Sequence, residues 1–220
     1  MFEKILDQSL SLWYTGVKMA DQIEQAIEIL KKGGIVAFPT DTVYGLGANS
    51  CDEEAVLRVY EAKARPRHLP LPLLLADISQ ITAVARDMPE IAWRLAQRFL
   101  PGALTLVLYK SPSVSSLITG ESEKVAVRVP DHPIPIALIQ GLGAPIIGTS
   151  ANLTGSPSAI TAQEVHYQMG DRVDLIIDGG RCRGGIASTV LDLSGESPTI
   201  LREGTISREE IKRACGVEVT

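Results

Sequence analysis

The chain has 220 residues, a formal net charge of −5, 45% hydrophobic residues and only 5% aromatic ones. That length suffices for one sizeable α/β core, and the acidic balance gives no global reason to grip a long nucleic acid. No apolar run approaches the roughly 18 residues that span a bilayer, and three scattered cysteines (Cys51, Cys182, Cys215) argue against a disulfide framework or zinc cluster and for a reducing cytoplasm.

Residues 1–20 start with acids rather than a basic and then apolar leader, and show little periodicity. They are set apart as an N-terminal extension, loosely attached to a domain over 21–220. The first helix is expected over 21–32, where Ile23, Ala26, Ile27 and Leu30 share a face, Asp21 caps the start and Gly33–Gly34 ends it. "IVAFP" reads as a buried strand. It runs into "TDTVYGLGANS", a stretch too rich in hydroxyls and glycines for a plain turn. A second helix opens at Asp52 and stops at Pro66, and "LPLLLA" follows as an apolar strand. Downstream, helices are expected in "MPEIAWRLAQRFL", "IPIALIQGL", "TAQEVHYQM" and, capped by Ser207, "SREEIKRAC". Strands are expected in "ALTLVLY", "KVAVRVP", "APIIG", "VDLIID", "STVLDL" and "PTILRE". This interleaving, with no repeat or long linker, argues for one α/β domain with a mixed sheet.

Familiar site motifs are missing. "GLGANS" lacks the third glycine of a dinucleotide fingerprint, no Walker loop is present, and "GTSAN" is not a nucleophile elbow. His68, His132 and His166 show no pairing spacing, so neither a serine-hydrolase triad nor a histidine metal site is supported. What recurs is a buried strand ending in hydroxyl, amide or cationic groups: Thr40 after "AFP", Arg128 after "VAV", Thr149, Ser150 and Asn152 after "PIIG". Ser188 and Thr189 follow "GGIA", and Arg202 follows "TIL". Ligands of open α/β sheets gather at such ends. The span "RVYEAKARPRH" adds Lys63, Arg65 and Arg67, which alone would read as cations at a helix C-terminus. Together these residues suit carboxylates and phosphates, handled by positioning and charge stabilisation rather than by a protein nucleophile.

In this order, "PTDTVYGLGANS", "KARPRHLPLPLLL", "VAVRVPDHP", "GTSANLTGSPS", "ASTVLDL" and "ILREG" resemble the YrdC/Sua5 family of threonylcarbamoyl-AMP synthases over roughly residues 21–215. The resemblance implies a single twisted mixed-sheet α/β domain of the YrdC/RibB-like type with an open cationic cavity. It also implies synthesis of L-threonylcarbamoyladenylate and pyrophosphate from L-threonine, bicarbonate and ATP with Mg²⁺. Partner proteins would then transfer the threonylcarbamoyl group to adenosine 37 of tRNAs reading ANN codons (t6A); tRNA contact is a candidate partnership that the sequence leaves open. Carried over by motif, Thr40, Arg128 and Ser188 would hold the threonine. Lys63, Arg65, Arg67, Ser150, Asn152, Ser158 and Arg202 would meet the ATP, with Lys63 and Arg65 as the catalytic cations and no protein-bound metal. The glycines after Pro39 would let the backbone close around the amino acid. Some relatives place a histidine on the strand after the KxRP motif, where this chain has "LPLLLA". The extra C-terminal domain of longer members is not expected here. The competing reading is an RNA-binding maturation factor that uses a basic cavity without catalysis. A carbamoyl-phosphate-using hydrogenase-maturation relative fits less well, since its zinc-finger and acylphosphatase segments have no counterpart in these 220 residues.

Overall fold

The computed structural model of the chain describes residues 19–220; the expected extension over 1–20 lies almost wholly outside the described residues. Helix α1 occupies 19–31, already helical upstream of Asp21, so that aspartate sits inside the helix rather than capping it. Gly33, at φ +76°, turns the chain out of α1 into strand β1, Val36–Phe38. Val36 and Phe38 point into a small apolar cluster under α1, while Ala37 points into the main core. Burial on both faces is why this strand reads as an unbroken apolar run rather than an alternation.

The stretch expected to be a ligand-wrapping loop is partly a strand. Gly45–Gly47 form β2, antiparallel to β1, with Phe38 opposite Gly45. A Cβ at Gly45 or Gly47 would lie 2.8 or 2.6 Å from the Phe38 ring. The glycines therefore make room for a buried aromatic ring across the hairpin, a packing demand that acts whether or not a ligand is near.

Helix α2 (Glu53–Ala62) is capped as expected by Asp52, whose carboxylate accepts from the Glu54 and Ala55 N–H groups. After it come β3 (Leu73–Leu74), α3 (Ile81–Val84), β4 (Ala85–Arg86), α4 (Glu90–Phe99) and β5 (Leu104–Lys110). Then follow α5 (Ser116–Thr119), β6 (Lys124–Arg128), α6 (Pro133–Leu142), β7 (Ile146–Ile147) and β8 (Thr149–Ser150). The chain continues with α7 (Ala162–Met169), β9 (Leu175–Ile176), β10 (Thr189–Asp192), β11 (Thr199–Arg202) and α8 (Arg208–Cys215). Every long element expected from periodicity is present; α3, α5, β4 and β8 are too short to have left a periodic signal.

The strands divide between two sheets rather than one: a four-stranded sheet in the order β8-β2-β1-β9 and a seven-stranded path β11-β10-β5-β6-β3-β7, with β4 on β5. Both are mixed. The β1–β9, β5–β10 and β3–β6 pairs are parallel, and the others named are antiparallel. An Asn49–Ile146 bridge and the bond from Ile147 N–H to the Ala48 carbonyl (2.9 Å) join the sheets. Strand alternation then builds the site. On β5, β6 and β10 the residues Leu104, Leu106, Leu108, Val125, Val127 and Leu191 enter the main core. Their neighbours at odd spacing necessarily face the other way, and that second face is the floor of a cavity.

Candidate functional site

The cavity has a volume of about 590 Å³. Its floor is the second face of the seven-stranded sheet: Thr105 and Val107 of β5, Lys124, Ala126 and Arg128 of β6, and Ser188, Val190 and Asp192 around β10. The wall comes from the β1–β2 connection (Thr40, Thr42, Val43), the loop after α2 (Arg65, His68), and the Gly148–Ser150 segment. From Arg128 to Lys124 the floor runs roughly 13 Å, at about 3.3 Å per strand residue.

Seven of the sequence-derived candidates line this one space: Thr40, Arg65, Arg128, Thr149, Ser150, Ser188 and Arg202. Lys63 and Asn152 lie just behind the wall. The Lys63 side chain is buried and its Nζ donates to the Ser150 carbonyl and, at 2.7 Å, to the Asn152 carbonyl. Asn152 Nδ2 donates to the Leu153 and Ser156 carbonyls at 2.8 and 2.7 Å, while its Oδ1 is buried without a partner. Arg67 and Ser158 are not among the lining residues, and Arg67 is exposed. Thr189, grouped with Ser188 by sequence, points the opposite way: its hydroxyl donates to the Ile206 carbonyl at 2.6 Å.

The cations differ in how they are compensated. Arg128 donates Nε–H to the Gly102 carbonyl (2.9 Å), NH1 to Thr42 Oγ1 (2.9 Å) and NH2 to Asp41 Oδ1 (2.5 Å). Burial pulls this guanidinium below its ordinary pKa and Asp41 pushes it back up. Lys124 pairs with Asp192 at 2.8 Å, and the Lys124 ion pair and Ser194 bonds carry that carboxyl below its usual range despite partial burial. Arg65 and Arg202, by contrast, have no acidic partner within 4 Å among the described residues. Arg65 donates to the Leu69 and Pro70 carbonyls, and Arg202 to the Ser188 carbonyl (2.7 Å) and Ser188 Oγ (3.1 Å). Burial, and then the neighbouring Arg65, lower the pKa of Arg202, as expected for two like charges with no acid between them. Lys63 is lowered to about 7, mainly by burial and further by Arg65.

The hydroxyls at the Arg128 end form a directed chain. Thr40 donates to the Val43 carbonyl at 2.7 Å, so the 3.0 Å contact between the two threonine hydroxyls runs from Thr42 to Thr40, leaving Thr42 Oγ1 to accept from Arg128. Thr40 also accepts from the Thr42 N–H at 3.1 Å. Its hydroxyl is fully used within the protein. Asp41 and Thr42 were read only as part of a ligand-wrapping stretch, and Thr105, Lys124 and Asp192 were missed as site residues, yet the signal for the last two was present. Lys124 stands four residues before Arg128, and Asp192 four after Ser188, each on the same strand face.

A sequence profile described as "telomere recombination", that of the Sua5/YciO/YrdC proteins, matches residues 28–204. The chain belongs to this family. A threonylcarbamoyl-AMP synthase of Bacillus subtilis is 46% identical over 196 residues, covering 89% of this chain and 57% of the relative. The crystal structure of Pyrococcus abyssi Sua5 complexed with L-threonine superposes with a TM-score of 0.87 at 45% identity, over 90% of this chain and 58% of that one. The structure of Escherichia coli YciO matches with a TM-score of 0.79 at 32% identity, over 86% of this chain and 92% of that one. The chain thus spans a little over half the length of the first two relatives and nearly all of the third. Among the described residues no helix is long and apolar enough to cross a membrane, and no cluster of three or more His, Cys, Asp or Glu side chains could hold a metal ion.

Proposed function

We propose that this chain is an L-threonylcarbamoyladenylate synthase, a nucleotidyltransferase acting in the cytoplasm. L-threonine, bicarbonate and ATP would yield L-threonylcarbamoyladenylate, pyrophosphate and water, for transfer by partner proteins to adenosine 37 of ANN-reading tRNAs. The observation that carries this reading is the charge pattern of one cavity: two uncompensated guanidinium groups, Arg65 and Arg202, beside a buried, acid-paired third, Arg128. That pattern suits one polyphosphate and one carboxylate in the same space. Membership of the family, and the threonine bound by the P. abyssi relative, support the choice of substrates.

In this reading the threonine carboxylate meets Arg128 near Ser188, and its amine takes up CO₂ from bicarbonate to give N-carboxythreonine. That carboxylate attacks the α-phosphorus of ATP, and the bond to pyrophosphate breaks. Arg65 and Arg202 stabilise the charge developing on the phosphates, aided by the Mg²⁺ that accompanies the nucleotide. Ser150 borders the same space. Lys63, proposed with Arg65 as a catalytic cation, acts in this conformation through the Ser150–Asn152 turn that it holds. Arg67, Asn152 and Ser158 are assigned to the nucleotide on the family motifs alone. The deciding test is pyrophosphate release from ATP and Mg²⁺ with threonine and bicarbonate each present or omitted. Release that needs both co-substrates supports the synthase. No release in any combination, with RNA retained at low salt and lost at high salt, overturns it in favour of a binding module.

A further inference from the structure

Asp41 does not line the cavity, yet it makes the shortest contact to the cavity's buried arginine. Its Oδ1 accepts from Arg128 NH2 at 2.5 Å and from the Asp131 N–H at 3.2 Å. With Thr42 and the Gly102 carbonyl, it takes up three of the five N–H groups of the guanidinium. These acceptors come from separate places: Asp41 and Thr42 from the β1–β2 connection, Gly102 from the turn before β5. Together they determine both the plane of the guanidinium and its position between the two sheets. One N–H on each terminal nitrogen is left without a protein acceptor among the described residues, and Arg128 borders the cavity. A guanidinium held only at Nε would swing about its last torsions; one held at all three nitrogens presents a fixed pair of donors.

We infer that Asp41 is a positioning residue for the amino-acid substrate. It acts through Arg128, clamping the guanidinium so that the two remaining N–H groups meet the substrate carboxylate as a preformed pair. Its charge also cancels most of the field of Arg128, so this end of the cavity selects by geometry rather than by attraction for any anion. The inference about turnover rests on the synthase reading; the clamp itself does not.

The experiment is pyrophosphate release by Asp41→Ala and Asp41→Asn in the full chain, with threonine and ATP varied separately. Asp41→Ala raises the threonine KM roughly tenfold, the scale of one charge-assisted hydrogen bond, and leaves the ATP KM within about twofold. Asp41→Asn keeps an acceptor oxygen and recovers most of that loss. A threonine KM unchanged in Asp41→Ala, equal rises in both KM values, or no recovery in Asp41→Asn would each overturn the inference. Should Asp41→Ala not fold, Thr42→Val removes a second anchor of the same guanidinium and is held to the same threonine-against-ATP split. A readout free of catalysis keeps this separate from the functional proposal. In the ligand-free chain the Arg128 Nε–H resonance exchanges slowly with solvent, and exchange accelerates in Asp41→Ala and not in Asp41→Asn. Equal exchange in all three overturns the clamp even if the protein makes no pyrophosphate.

Discussion

Arg128 on one side, and Arg65 with Arg202 on the other, solve the problem of placing a cation in one cavity in opposite ways. Arg128 is almost wholly buried, bonded to three acceptors and neutralised by Asp41. Arg65 and Arg202 are more open, lean on backbone carbonyls, and have no carboxylate within 4 Å among the described residues. A neutralised, immobilised guanidinium offers direction with little net field, which suits a small zwitterion. Two uncompensated ones offer field, which suits a polyphosphate whose charge is spread over many oxygens. The difference is what the proposed function asks of one continuous cavity that would take two unlike substrates.

The largest effect expected from breaking this comparison is on stability. Arg128→Ala leaves Asp41 as a nearly buried, unpaired carboxylate, and should cost about 3–5 kcal/mol of unfolding free energy in a urea titration. Arg65→Ala and Arg202→Ala should do the reverse, lowering pyrophosphate release roughly 100-fold while the urea midpoint barely moves. A large loss of stability in either of these would show that the open cations are structural. A third variant sharpens the apolar side of the Arg128 end. A Cβ at Gly148 would overlap the Leu74 side chain, which also borders the cavity and lies opposite Arg128 in the β3–β6 pairing. Gly148→Ala should cost about 1–3 kcal/mol, and thermal melts will show it. The remaining test is a pH dependence. Lys63 has its pKa lowered from 10.5 to about 7 by burial, so above pH 7 the unfolded chain binds a proton that the folded chain has released. Stability of the wild type relative to Lys63→Met should therefore rise between about pH 7 and 10, by about 1.4 kcal/mol per pH unit at most. A flat difference would mean that the Ser150 and Asn152 carbonyls keep the ammonium charged.

Most of the helices and strands could be read from periodicity and caps: Asp52 at α2, Ser207 at α8, and the alternation of β6. Local chemistry decides these features, because caps and strand faces depend on residues a few positions apart. The candidate list was legible for a related reason, since polar groups at the ends of apolar strands stand out against their surroundings. The packing role of the β2 glycines was not legible, because a glycine that accommodates a distant ring looks, in sequence, like one that borders a ligand, and Gly45 also borders the cavity.

By itself, then, the sequence determined the order of the long elements, that β1 is buried on both faces, and that hydroxyls and cations cluster at strand ends. The tertiary structure alone decided that the strands form two sheets, that Asp41 and Arg128, 87 positions apart, become one dipole, and that Lys63 turns inward to backbone carbonyls. Strand alternation tells which face a side chain takes. Pairing across the fold, which no local pattern records, settles what charge it meets there.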